Sequence, residues 1–253
     1  MAARSGGPGR EFRVLLLPAL ATDRGLYASL LAAMPDSTAA TTAIQYGPSR
    51  PGETLRDYAR RQFTEQFLKD DQAFADFDLV IGTSFGGMAA QELIAGGLLQ
   101  TRRLVLISTC FSGRDLTWFV RLAAPLFPLL PCIPPALRRL ALLFVAWIFP
   151  VLRRGIPDPA AFTTMIARAD VDFLFSAGTM ISRWRTEEPP VSIESGVVGR
   201  TLQIHGTRDP VLSYRKVSRQ RPPEVTVAEG DHIMILRRAP EIAGYIVDFG
   251  FWN

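Results

Sequence analysis

The chain has 253 residues, of which 48% are hydrophobic and 21% charged. That is enough to bury one sizeable α/β core, and it is too apolar for a disordered chain. Two cysteines, Cys110 and Cys132, exclude a disulfide framework and fit a reducing cytoplasm, with a single bridge between them left open. A net charge of +4 with no basic stripe interleaved with aromatics argues against a nucleic-acid binder.

Residues 1–11 read as a disordered end, since Met1 to Arg10 carries arginines and small residues but no apolar stretch of the kind a secretory signal needs. Short β-branched or leucine-rich runs then alternate with helical patterns, which predicts a parallel sheet with crossover helices. Strands are expected at 12–17, 41–46, 78–82 and 103–108, and helices at 26–34, 54–69 and 85–95. The alternation breaks over 112–183, which is helical in pattern, rich in proline and very apolar. It resumes with strands at 200–205 and 224–228 and helices at 211–219 and 239–249. The simplest organisation is an α/β core over 12–111 and 184–253, interrupted by a helical insertion over 112–183. The insertion holds eight arginines against four aspartates, which matches the whole net charge of the chain.

The strongest chemical signal is Gly82-Thr83-Ser84-Phe85-Gly86-Gly87, lying between a predicted strand and a predicted helix. That context is what G-x-S-x-G requires. The turn is so sharp that the serine takes a strained backbone, and only very small residues fit two positions before and after it. The following helix presents its N-terminus to the serine, and the Phe85 N–H is a candidate oxyanion donor. The bland reading is a glycine-rich turn with an incidental serine. A serine nucleophile needs a base, and only His205 and His232 are present. His232 follows a strand in Gly230-Asp231-His232, on the sheet edge that carries Ser84, whereas His205 ends a strand and reads as packing. The acid that orients the base is expected at Asp209, in the loop after the penultimate strand. Asp115 and Asp231 compete for that role. No residues fall at metal-ligand spacing, and no cofactor is expected.

Taken together, Leu15-Leu16-Leu17-Pro18-Ala19-Leu20, Gly82 to Gly87, His205 to Asp209 and Gly230-Asp231-His232 resemble the α/β-hydrolase superfamily, particularly its small cofactor-free esterases. The resemblance covers nearly all of the chain outside the insertion, with the order Ser…Asp…His. It implies a mostly parallel sheet with helices on both faces, a helical lid over 112–183, and serine-dependent cleavage of carboxylic esters. It also implies that Leu20 supplies a second oxyanion N–H. Many members carry His-Gly where this chain has Pro18-Ala19, which puts that donor in doubt. The lid aromatics Trp118, Phe119 and Trp147 are candidate substrate contacts, and their apolar character suggests acyl or aryl esters.

Residues 140–152 of the insertion form an uncharged stretch of thirteen, short of the ~18–20 a membrane span requires. Pro125, Pro128, Pro131, Pro134 and Pro135 interrupt what precedes it. The pairs Arg138-Arg139 and Arg153-Arg154 are similar in kind to the basic lid of pimeloyl-acyl-carrier-protein methyl esterases. An acidic acyl carrier protein is therefore one candidate partner, set against a small-molecule ester with the arginines merely solubilising the lid. A non-catalytic hydrolase-like binding protein is the alternative of another class.

Overall fold

The computed structural model describes residues 12–35, 40–68, 72–123, 133–134, 136–140, 158–185 and 198–252. One sheet contains β1 (Arg13–Leu17), β2 (Ala40–Ala43), β3 (Ala75–Phe77), β4 (Leu79–Thr83), β5 (Leu99–Ile107), β6 (Val198–Gly206) and β7 (Val225–Val227). Its order is β2-β1-β4-β5-β6-β7, with β3 pairing the start of β5, and every pairing among these strands is parallel. Parallel neighbours need long crossovers, supplied here by α1 (Ala28–Ala33), α2 (Leu55–Phe67), α3 (Phe85–Ala95) and α7 (Tyr214–Gln220). Between β5 and β6 lie α4 (Trp118–Ala123), α5 (Pro159–Arg168) and α6 (Val171–Arg183), and the chain ends in α8 (Met234–Arg237) and α9 (Ala239–Asp248).

The unbroken apolar run of β1 is explained by burial on both faces. Leu15 and Leu17 point into a core shared with α2, α3 and α6, while Val14 and Leu16 point into a second core under α1, α8 and α9. The same alternation divides β4 and β5 between the two cores. Register then aligns the strand ends. Leu17 pairs with Gly82, Thr83 with Ile107, Ile107 with Ile204, and Gly206 with Val227. The loops after β1, β4, β6 and β7 therefore emerge along one edge of the sheet, where open α/β sheets bind ligands.

Several element boundaries differ from the sequence expectation for identifiable reasons. β2 stops at Ala43, before Tyr46, because side chains of α2 take over the backbone donors that follow. Gln45 N–H donates to Gln66 Oε1, and Gly47 N–H donates to Gln62 Oε1. The helix expected from 211 starts at Tyr214, because Val211 and Leu212 N–H groups are held by the Asp209 carboxylate. Toward their N-termini, β5 starts at Leu99 rather than 103 and β6 at Val198 rather than 200. Short α8 was not anticipated.

The described parts of 112–183 carry only helical segments, joined to the core by isolated bridges of Ser112 to Arg185 and Leu116 to Leu212. α6 docks through Phe173, which stacks on Tyr58 at 4.9 Å, and it is followed by Trp184. Trp184 Nε1–H donates to Glu92 Oε1 at 2.7 Å, and Glu92 Oε2 accepts from Arg56 Nε at 2.7 Å. A buried carboxylate is tolerable because both of its oxygens are satisfied. Among the described residues, no helix is long and apolar enough to cross a membrane. Residues 1–11, 124–132, 141–157 and 186–197 lie outside the described residues, and with them Arg153, Arg154, Trp147 and Cys132. Cys110 is a free, buried thiol.

Candidate active site

Ser84 stands between β4 and α3 with φ 51° and ψ −117°. A non-glycine residue at positive φ is strained, and such strain persists only where surrounding contacts hold it. Here the Ser84 N–H donates to Ile107 O, and its carbonyl accepts from Thr109 Oγ1 at 2.8 Å and from the N–H groups of Gly87 and Met88. The flanking glycines are dictated by crowding. A Cβ on Gly82 would lie 2.7 Å from Gly87 Cα, and one on Gly86 would lie 1.9 Å from Leu17 O and 2.5 Å from Pro18 O. Gly86→Ala therefore forces the loop after β1 away from α3. We expect a loss of about 3 kcal/mol in stability, read as a lower midpoint in urea unfolding.

His232 and Asp209 complete a hydrogen-bonded line. Ser84 Oγ lies 2.9 Å from His232 Nε2, and His232 Nδ1 lies 2.8 Å from Asp209 Oδ2. A carboxylate only accepts, so Nδ1 carries the imidazole proton and Nε2 offers its lone pair to the serine hydroxyl. The other oxygen, Asp209 Oδ1, accepts from Val211 and Leu212 N–H at 2.8 and 2.9 Å. Two loops must meet for this to happen, and Gly206 permits it, since a Cβ there would lie 2.2 Å from Gly230 O. The loops are stitched by Arg208 N–H to Gly230 O and Glu229 N–H to Thr207 Oγ1, both 2.9 Å.

The electrostatics follow from the same contacts. Burial disfavours charge on both partners, but their mutual attraction outweighs it. Asp209 is held below the ordinary aspartate range, and His232 is raised above the ordinary histidine value of 6.5. The competing acids are committed elsewhere. Asp115 accepts from Phe111 and Ser112 N–H and from Gln220 Nε2, and burial raises its pKa. Asp231 pairs with Arg237 and accepts from Ile233 N–H. His205 is fully buried, with Nε2 facing Leu212 O at 3.3 Å.

Phe85 begins α3, and the first N–H groups of a helix have no carbonyl of their own to bond. Leu20 is half-buried against the same core, in the loop whose Leu17 and Pro18 carbonyls crowd Gly86. The next residue, Ala21, has φ 66°. Tyr27 pins the base of this loop, since its hydroxyl donates to Leu17 O at 2.6 Å and lies 3.0 Å from Thr83 Oγ1. Trp118 is 74% exposed, the side chain of Phe119 and the whole of Trp147 fall outside the described residues, and Arg138 is buried in an ion pair with Asp172. Ser84 lines neither of two hollows found among the described residues. One, of about 780 Å³, lies between the start of α2 and α6; the other, of about 700 Å³, runs from Ala21 to Met165. Phe173 borders both and packs against Phe85 at 5.8 Å. Among the described residues, a serine hydroxyl, an imidazole and a carboxylate converge along this hydrogen-bonded line, and none of the three lines either hollow. Tyr27 and Thr109 carry no motif and show themselves only in three dimensions.

A buried serine at a strained strand-to-helix turn, on the carboxyl edge of a parallel sheet and hydrogen-bonded to a histidine–aspartate pair, defines the class of α/β hydrolases. A family model described as the alpha/beta hydrolase family matches residues 6–244, and the chain belongs to that family. No curated protein sequence matches it. Solved structures share its fold at low identity. An esterase from Exiguobacterium antarcticum is 16% identical with a TM-score of 0.65, covering 95% of this chain and 92% of that one. The enol-lactonase from Burkholderia xenovorans LB400 is 18% identical with a TM-score of 0.61, over 95% and 92%. Homoserine O-acetyltransferase from Staphylococcus aureus is 12% identical with a TM-score of 0.65, over 95% and 86%.

Proposed function

We propose that the chain is a serine hydrolase of carboxylic esters with apolar acyl or aryl groups. Ser84 is the nucleophile, His232 the base and Asp209 the acid. The observation that carries this reading is the continuous line of two short hydrogen bonds from Ser84 Oγ through His232 to Asp209. His232 takes the serine proton as Oγ attacks the ester carbonyl, and the N–H groups of Phe85 and Leu20 hold the oxyanion. Collapse of the tetrahedral adduct expels the alcohol, which receives its proton from His232 and leaves an acyl-enzyme on Ser84. Water, deprotonated by the same imidazole, then releases the acid. The insertion over 112–183 takes the role of a lid, and the apolar borders of the hollow beside α6, which include Leu55, Phe173 and Met180, favour greasy acyl groups.

Hydrolysis of p-nitrophenyl esters, from acetate to long acyl chains, tests the reading. Turnover by the wild type that Ser84→Ala abolishes supports it, and the preferred chain length reports pocket depth. Turnover that survives in Ser84→Ala contradicts it. If no member reacts, esters linked to an acyl carrier protein are the next substrates. Failure there as well leaves the non-catalytic binding protein.

His232 must be neutral to accept the serine proton, so activity falls as pH drops through its pKa. Because Asp209 raises that pKa despite burial, the acid limb of kcat/KM is expected above 6.5, the ordinary value for histidine. A pH–rate profile with its acid midpoint below 6.5 would contradict this.

A further inference from the structure

The second histidine of the chain is built into the same acid. His205 ends β6 with no solvent exposure, and its Nε2 lies 3.3 Å from Leu212 O and 3.7 Å from Asp209 Oδ2. That carboxylate oxygen is the one that accepts from His232. A carbonyl only accepts, so the contact with Leu212 puts the neutral proton of His205 on Nε2. Its N–H then points its positive end into the space between Leu212 O and Asp209. At 3.7 Å the carboxylate is beyond a hydrogen bond but within reach of the N–H dipole, in a site where water does not screen it. Leu212 is held twice, because its own N–H donates to Asp209 Oδ1 at 2.9 Å. His205, Leu212 and Asp209 thus form a closed unit. Nδ1 of His205 makes no hydrogen bond among the described residues, and the backbone of Thr109 acts on the same ring together with that of Leu212.

We propose that His205 is a positioning residue for the acid: its N–H donates to Leu212 O, Leu212 in turn holds Asp209 in place, and the dipole of the His205 N–H faces the carboxylate that His232 also uses. The proposal deepens the serine-hydrolase reading and rests on it for its consequence in catalysis. A carboxylate that also faces the His205 N–H pulls less on the imidazolium of His232. Removing that N–H strengthens the pull and raises the pH at which His232 titrates. Burial keeps His205 itself neutral, its pKa lying below the ordinary value even though Asp209 is close.

The other ionisable groups around the unit are accounted for. From the β7–α8 loop come His232 and Asp231, the latter paired with Arg237. α7 brings Tyr214, whose ring lies 6.2 Å from His205. The segment after β5 brings the Cys110 thiol and Asp115, and burial raises the pKa of both. Lys216 donates to the backbone of Arg114 and Leu116 beside Asp115. His205 and His232 are the only groups among these with an ordinary pKa near neutrality.

The test is a pH titration of imidazole nitrogen shifts by NMR on the full chain labelled with 15N-histidine. Only two histidines are present, so both are resolved and assigned by comparison with His205→Gln. Wild-type His205 should appear as the neutral Nε2–H form throughout the titration of His232. In His205→Leu and His205→Asn, neither of which places an N–H at the Nε2 position, the His232 midpoint should rise by about half a pH unit or more. In His205→Gln, whose amide reaches that position, it should stay near the wild-type value. An Nδ1–H tautomer or an imidazolium at wild-type His205 would overturn the proposal. So would an unchanged or lowered His232 midpoint in the Leu or Asn variant, with Gln guarding against a packing effect and Asn replacing Leu if that variant does not fold. Ester turnover does not enter this readout. Failure of the hydrolase reading shows separately, as absent turnover with the His232 shift intact.

Discussion

Ser84→Ala is expected to lower kcat for a carboxylic ester by about 10⁴- to 10⁶-fold, with KM little changed. In the proposed mechanism the hydroxyl oxygen is the group that bonds to the substrate carbon, so its removal deletes the acyl-enzyme route and the loss is this large. What survives is the stabilisation offered by the oxyanion donors and by binding, worth roughly 10³–10⁴ over water in triad enzymes. The substitution leaves the fold intact, because the contacts that hold the strained turn are made by the Ser84 backbone. Its carbonyl accepts from Thr109, and its N–H donates to Ile107. An unchanged melting temperature with kcat reduced by less than tenfold would remove Ser84 from the chemistry.

Asp209→Asn is expected to cost about 10⁴-fold in kcat at neutral pH. The asparagine oxygen replaces Oδ1 as acceptor for Val211 and Leu212, which turns its amide N–H₂ toward His232. A donor facing Nδ1 drives the imidazole proton to Nε2, and the serine hydroxyl then has no lone pair to receive its proton. The imidazolium also loses the carboxylate that raises its pKa. Asp115 and Asp231 cannot substitute, since the first is held by Phe111, Ser112 and Gln220 and the second by Arg237 and Ile233. A kcat within tenfold of wild type in Asp209→Asn would transfer the role to one of them.

Much of this site is legible in the amino-acid sequence because its demands are local. The sharp turn at Ser84 requires small neighbours whatever the rest of the chain does, and a strand before it with a helix after it can be read from periodicity. With two histidines in the chain, the base reduces to a choice between His205, at the end of a buried strand, and His232, in a loop. What the sequence hides depends on contacts distant along the chain. Nothing near Tyr27 shows that its hydroxyl ties together β1 and β4, and nothing near Thr109 shows that it anchors the serine carbonyl. His205 reads as packing because its nearness to Asp209 arises from the fold of the turn that follows it. The early end of β2 and the late start of α7 have the same origin, since side chains of α2 and of Asp209 capture backbone groups that a local pattern assigns to a strand or a helix.

The most direct measurement of the central claim is covalent labelling of the full chain with a fluorophosphonate, followed by mass mapping of the modified peptide. The reagent reacts with a serine oxygen only where a base activates it and donors receive the developing negative charge. The account predicts one adduct per chain, on Ser84, abolished in Ser84→Ala and strongly slowed in His232→Ala and Asp209→Asn. An adduct on another residue, or none on a folded wild-type chain, would contradict it.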